Sequence, residues 1–257
     1  MRRPEDGQVI PMFQSRTYRN HIRRAEFSAY QVTVKETDLH VQTPGEYSRE
    51  VRDSVLKHRG FLEAYIQDNP DFIHTLEPWP VTGPMPAMVA AMVKAARTMG
   101  VGPMAAVAGA VAAAVGRELL QATSQVIIEN GGDVFLKTAA PATLAVFAGK
   151  SPLNLRVGLK IDATRRPKAV CTSSGTIGHS LSLGQADAVC VVADSGSLAD
   201  AAATALGNRL RRPADIGPVL DGIRGLPGID GALAVMGETL GVCGQLEIVP
   251  VKAPGKS

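Results

Sequence analysis

Gly196-Ser197-Leu198-Ala199-Asp200-Ala201-Ala202-Ala203-Thr204-Ala205-Leu206-Gly207-Asn208 is the stretch on which the reading of this chain turns. Its small, apolar residues predict a helix that packs closely on its neighbours. Asp200 and Thr204 stand four residues apart, so they lie one above the other on a single face. Two readings of Asp200 follow. An Asp and a Thr stacked this way offer oxygen ligands to a hard cation such as Mg²⁺. Alternatively, Ser197 followed three residues later by Asp200 fits a capping box at the start of the helix. The motif alone leaves both open.

Outward from this stretch, the composition sets bounds. The chain has 257 residues, 45% of them hydrophobic, enough for one large domain or two intimate halves. With 26 Gly and only 4% aromatic residues, it favours tight turns and close Ala/Gly packing over ring stacking. A net charge of +3 is too small to point to nucleic acid. Basic residues do cluster, at Arg2, Arg3, Arg16, Arg19, Arg23 and Arg24, and again from Lys137 to Lys168, a stretch that suits either phosphate attraction or a solvated face. Cys171, Cys190 and Cys243 are odd in number and widely spaced, so no disulfide framework is predicted. Cys171 borders a polar loop and is expected to be the most reactive thiol, with Cys190 buried in an apolar strand. Pro4-Glu5-Asp6-Gly7 follows the basic start without an apolar segment. The longest apolar run, Met104 to Val115, is shorter than the roughly 20 residues that span a bilayer. The expectation is a cytoplasmic protein with a small-molecule ligand, no membrane or nucleic-acid partner, and scope for a homo-oligomer.

Periodicity orders the elements. Alternation predicts a hairpin over Phe27–Val34 and Leu39–Gln42. Helices are predicted over Glu46–Gln67, Ala87–Met99, Pro103 to about Gln121, and from Leu198, with a further helical stretch over Asp215–Ile223. Strands are predicted at Gln125–Glu129, Asp133–Thr138, Leu144–Ala148, Leu153–Ile161, Ala169–Thr172, Ala188–Ala193, Gly231–Met236 and Gln245–Val251. Strands, helices, many strands, helices and strands again make an α+β chain.

Two further stretches carry candidate chemistry. Glu129-Asn130-Gly131-Gly132-Asp133 joins two apolar strands, where paired glycines serve a sharp turn or a close ligand approach. Cys171-Thr172-Ser173-Ser174-Gly175-Thr176-Ile177-Gly178-His179-Ser180 offers hydroxyls and backbone N–H groups that suit an anion or a polar ring edge, or simply a hydrophilic loop. The dinucleotide-like Gly100-Val101-Gly102-Pro103-Met104-Ala105 follows a helix rather than a strand. Gly178-His179-Ser180-Leu181-Ser182 lacks the second glycine of a hydrolase elbow.

Taken in order, these stretches resemble the ApbE-like superfamily. The family's late Ala-Asp-Ala-Leu-Ser-Thr-Ala-Leu motif stands here as Ala199-Asp200-Ala201-Ala202-Ala203-Thr204-Ala205-Leu206. Its Asn-x-Gly-Gly strand end looks like Asn130 to Asp133, and its glycine-rich helix start like Gly102 to Gly109. The pattern is closer still to an uncharacterised cytoplasmic branch, and it covers about Tyr30 to Pro250. The resemblance implies a T-fold-like architecture: antiparallel sheets backed by helix pairs, arranged as an internal duplication with halves of about 25–125 and 126–252 in one domain. It implies a flavin (FAD) or nucleotide-like ligand at Asn130, Gly131, Gly132, Asp133, Ser173, Ser174, Gly175, Thr176, His179 and Ser180. It also implies Mg²⁺ at Asp200 and Thr204, with a backbone carbonyl near Ala105 or Ala106. The family's Asp-Pro-Arg-Thr-Gly segment is altered: Cys171-Thr172-Ser173-Ser174-Gly175 keeps the glycine and loses Asp and Arg. A flavin transferase reaction is therefore in question. Two other roles stay open: sulfur or sulfur-amino-acid metabolism through Cys171, and non-catalytic binding or assembly on the same fold.

Overall fold

The computed structural model describes residues 27–175 and 183–251. Thr176, His179 and Ser180 lie outside the described residues. The chain is α+β. Its main sheet has eight antiparallel strands in the order β1-β2-β3-β4-β7-β8-β9-β10. These strands are β1 (Ser28–Val34), β2 (Thr37–Thr43), β3 (Val126–Asn130), β4 (Asp133–Lys137), β7 (Lys168–Ser173), β8 (Ala188–Ala193), β9 (Ile229–Met236) and β10 (Thr239–Gly244). A second sheet runs β11-β6-β5, from β5 (Ala142–Ala145), β6 (Val157–Ile161) and β11 (Glu247–Pro250).

Two strands, a set of helices and two strands occur in each part of the main sheet. Between β2 and β3 come α1 (Ser48–Asp68), α2 (Ala87–Met99) and α3 (Val107–Leu119). Between β8 and β9 come α4 (Gly196–Gly207) and α5 (Ile216–Asp221). The parts meet edge to edge at β4 and β7, through Val134↔Val170, Phe135↔Ala169 and Leu136↔Lys168.

Strand alternation builds a three-layer molecule. In β3, Val126 and Ile128 face the helices, while Ile127 faces the small sheet. In β8, Val189, Val191 and Ala193 pack under α4 and α5, while Ala188, Cys190 and Val192 pack against the small sheet. Both faces of β8 are thus covered, which explains its unbroken apolar run.

The helices lie close because their facing residues are small. A Cβ on Gly109 of α3 would fall 2.4 Å from the carbonyl oxygen of Gly196 in α4, and one on Gly196 would fall 2.1 Å from that of Gly109. Lower on α3, a Cβ on Gly116 would meet the Phe135 ring at 2.2 Å. The expected helices are present, α2 ending at Gly100 with φ +71°.

Three strands and the place of one side chain differ from expectation; the strand expected at Leu144–Ala148 lies at Ala142–Ala145. The stretch Leu153–Ile161 is strand only from Val157, because residues 151–156 form turns fastened by Asn154, whose Oδ1 accepts from the Ala148 N–H at 2.9 Å. Strand β10 was not expected; its two glycines weaken the pattern, and as an edge strand it has only β9 as partner. Lys168 is not part of a solvated basic face. It is buried, with its Nζ 2.8 Å from Asp194 and 2.5 Å from Asp230. That pairing ties together β7, the end of β8, and β9.

Candidate functional site

The β3–β4 turn, the start of α3, the end of β7 and the first turns of α4 converge at one end of the main sheet. Gly131 and Gly132 form the turn with φ of +67° and +108°, a left-handed geometry that a side chain disfavours. Among the described residues no heavy atom lies within 4 Å of where a Cβ on Gly131 would sit, so they leave the tip of the turn open. Beneath it, buried Glu129 accepts the Gly132 N–H at 2.7 Å. Asn130 donates to the Ala108 carbonyl at 3.0 Å and so ties the turn to α3.

Asp200 reaches the same place from α4. Its Oδ2 accepts the Gly109 N–H at 2.9 Å, across 91 residues of sequence. The first N–H groups of a helix need partners, and α3 has no capping side chain of its own. Asp200 supplies that cap from another helix. This corrects the capping-box reading of Ser197 and Asp200. The cap of α4 is Ser195, which accepts from Leu198 N–H at 3.5 Å. The short path between the two helices, glycine against glycine, is what lets the Asp200 carboxyl reach α3.

A second carboxyl adjoins it. Asp133 is buried and accepts the Thr172 N–H at 3.1 Å. It lies beside Asp200 and the Cys171 thiol, close enough for each to affect the others' protonation. Burial is the largest cause pushing the Asp133 carboxyl up, to about 7, with Glu129 adding to it against the pull of its hydrogen bonds. Burial and the neighbouring Asp133 charge push Asp200 well above the usual carboxylate range. Two carboxyls in contact, away from water, cannot both ionise unless positive charge joins them, so the pair holds a proton.

Ser173 and Ser174 are half-buried at the end of β7, and Thr204 is half-buried one turn after Asp200. Gly175 has a packing reason to be glycine, since a Cβ there would fall 2.3 Å from the Gly184 carbonyl oxygen. The turn residues Asn130, Gly131, Gly132 and Asp133 are thus tied to Asp200 through α3 and to the end of β7 through Thr172, while Ser173, Ser174 and Gly175 follow along the chain from there and Thr204 lies one turn further along α4.

Cys171 does not fit its expected reactivity. It is buried, its thiol donates to the Gly196 carbonyl at 3.6 Å, and burial together with Asp133 and Asp200 pushes it well above an ordinary thiol. Lys168, three residues upstream on the same strand, is engaged by two carboxylates. Cys190 is buried as expected, with its thiol pushed up to about 11, chiefly by burial.

Sequence reasoning missed Glu129 as the acid that fixes the glycine turn, and missed the start of α3 as the anchor for Asn130 and Asp200. An acid ending the apolar run Val126-Ile127-Ile128 was the available signal for Glu129.

Among the described residues, no three His, Cys, Asp or Glu side chains are placed to share one metal ion. The acid pair nevertheless suits a hard cation. Its donors are oxygens, its two carboxyls stay apart in charge only by holding a proton, and the hydroxyl of Thr204 is on the same helix face. Ala105 and Ala106 lie in the 3₁₀ turn just before α3, and this turn packs against α4.

A family model described as AbpE bacteria matches residues 19–218. The UPF0280 protein of Methanosarcina barkeri is 41% identical over 197 residues, covering 76% of this chain and 78% of that protein. The UPF0280 protein of Methanococcus aeolicus is 37% identical over 221 residues, covering 84% and 89%. Among solved structures, the flavinyl transferase ApbE of Pseudomonas stutzeri, in its apo form, aligns with a TM-score of 0.56 at 15% identity, over 88% of this chain and 94% of that one. The flavin transferase ApbE from Vibrio cholerae aligns with a TM-score of 0.56 at 12% identity, over 89% and 98%. At such identities the structural likeness speaks for the fold.

Proposed function

The chain belongs to the AbpE bacteria family, and from that premise we propose that it binds a flavin or a related nucleotide, with a divalent cation, at the sheet end where Asp133 and Asp200 meet. The observation that carries this reading is the convergence itself: an open, positive-φ glycine turn stands over a buried carboxyl pair. The fold neighbours are flavin transferases, and they suggest the ligand class. Asn130 to Asp133 and Ser173 to Gly175 would line the ligand, with Thr176, His179 and Ser180 completing the set. Asp200 and Thr204 would hold Mg²⁺, with the Ala105 or Ala106 carbonyl as a further donor. When bound, Mg²⁺ supplies positive charge to an anionic ligand. Asn130 and Glu129 hold the turn, and the start of α3 holds Asp200 in place.

The reaction is undetermined, because the Asp and Arg of the family's transferase segment are replaced by Cys171 and Ser173-region residues. The cytoplasmic location read from the sequence belongs to the same proposal; among the described residues no single helix is long and apolar enough to cross a membrane. The matching connectivity of the two parts of the main sheet supports reading the chain as a duplication. Buried Cys171 gives the sulfur-handling reading no support.

Calorimetric titration with FAD, FMN and ADP, with and without Mg²⁺, is the direct test. We expect saturable binding, together with a Mg²⁺-dependent rise in melting temperature by linkage. Asp200→Asn keeps an acceptor for Gly109 and removes the charge, so it should abolish the Mg²⁺ rise with little loss of fold. Absence of binding at roughly millimolar ligand, about −4 kcal/mol on the affinity scale, would leave a non-catalytic binding or assembly protein.

A further inference from the structure

Away from the acid pair, a depression of about 420 Å³ lies between the outward side of α2 and the connector that precedes it. Its floor is aliphatic, formed by Val81, Met85, Ala90 and Val93. Val81 among them is 59% exposed. Lys94 and Arg97 stand three residues apart on α2 and line the same depression. No carboxylate among the described residues pairs with either. An apolar floor beside two unmatched cations fits a ligand of the opposite design: an apolar body with an anionic head. No aromatic ring lines the depression, so nothing there would stack on a flavin or a base.

We propose that this depression is a second binding site, for a small aliphatic anion whose chain lies over Val81, Met85, Ala90 and Val93 and whose carboxylate or phosphate head is held by Lys94 and Arg97. An i, i+3 pair presents both cations to one head, and a guanidinium can grip it with two parallel hydrogen bonds. At on the order of 30 Å³ per non-hydrogen atom, the share of one molecule in liquid water, the space admits about a dozen such atoms. A ten-carbon acid is of that size. This site shares no lining residue with the proposed flavin site, and the two readings stand or fall separately.

The test uses four ligands with one body: decanoate, decyl phosphate, decanol and decylammonium, below their micellar range. Calorimetry on the full chain reads the affinity. The chain's single tryptophan, Trp79, two residues before Val81, gives a local optical signal. Its ring lies edge-on to Phe72, with centroids 5.3 Å apart. We expect saturable one-to-one binding of decanoate or decyl phosphate, at least tenfold tighter than decylammonium. The tighter of the two anions identifies the head group. Lys94→Gln with Arg97→Gln should weaken anion binding at least tenfold, and Ala90→Phe should fill the floor and block it. Both sets of variants should leave flavin titration unchanged. Equal affinity for decylammonium, no change in the Lys94/Arg97 variant, or no saturable binding at millimolar ligand would each overturn the proposal.

Discussion

Asp200 has two duties that its substitutions can separate. As the cap of α3 it offers an acceptor to Gly109, and Asp200→Ala removes that acceptor, at about 0.5–2 kcal/mol. Chemical denaturation without metal reads this cost, and Asp200→Asn should recover most of it. The partner Asp133 carries a pH signature. Its carboxyl is raised in the folded chain, so the folded state binds more protons than the unfolded state between the ordinary value of 3.8 and about 7. Stability of the metal-free protein, on this account, falls as pH rises through that window. Asp133→Asn should flatten the fall, as melts in chelator across the window will show. A slope unchanged by Asp133→Asn would count against the buried acid pair. None of this pairing was legible in sequence. Asp200 was legible as an oxygen-bearing residue on a helix, but no local pattern reveals that it caps another helix at Gly109, 91 residues earlier.

Among the elements, glycine decides the contact between α3 and α4. Gly109→Ala and Gly196→Ala each push a methyl into the facing backbone, with would-be contacts of 2.4 and 2.1 Å. Backbone cannot swing aside as a side-chain end can, so each should cost about 1–3 kcal/mol or more and disturb the Asp200–Gly109 bond. Gly60, inside α1, has no heavy atom within 4 Å of its would-be Cβ. Gly60→Ala should therefore stabilise by roughly 0.5–1 kcal/mol. Equilibrium unfolding in urea will give both signs. The helices themselves were readable, because their apolar spacing and Ala content are local. The strand β10 was not, since Thr239-Leu240-Gly241-Val242-Cys243-Gly244 has little alternation. Gly241 is required there by packing, because a Cβ would fall 2.2 Å from the Ile216 side chain of α5. The extent of β6 was lost for a related reason: turns held by Asn154 interrupt an otherwise strand-like composition.

Across the whole molecule, the α+β class followed from the order of the elements, and three short stretches carry the proposed sheet-end site. The layering follows from alternation, but the pairing of β4 with β7 does not, since it joins strands separated by the small sheet. Lys168 shows what the charge count concealed. It lies in a run that reads as a basic surface, yet it is buried between Asp194 and Asp230 and joins three strands. Lys168→Met leaves those two acids without their shared cation. Asp194 and Asp230 keep 36% and 27% of their side chains exposed, and Arg166 also reaches Asp194, at 3.0 Å, so both acids can still be hydrated or paired; a loss of about 1–3 kcal/mol is expected in thermal melts.

Strand β8 has both faces covered and all six of its residues buried. No local fraying can bring solvent to its backbone, so its amide protons should exchange with deuterium only when the entire chain opens. Those six amides would then serve as an internal clock for global opening. Their exchange rate would give the total stability directly, while β1, with one face towards solvent, would lose its protons sooner.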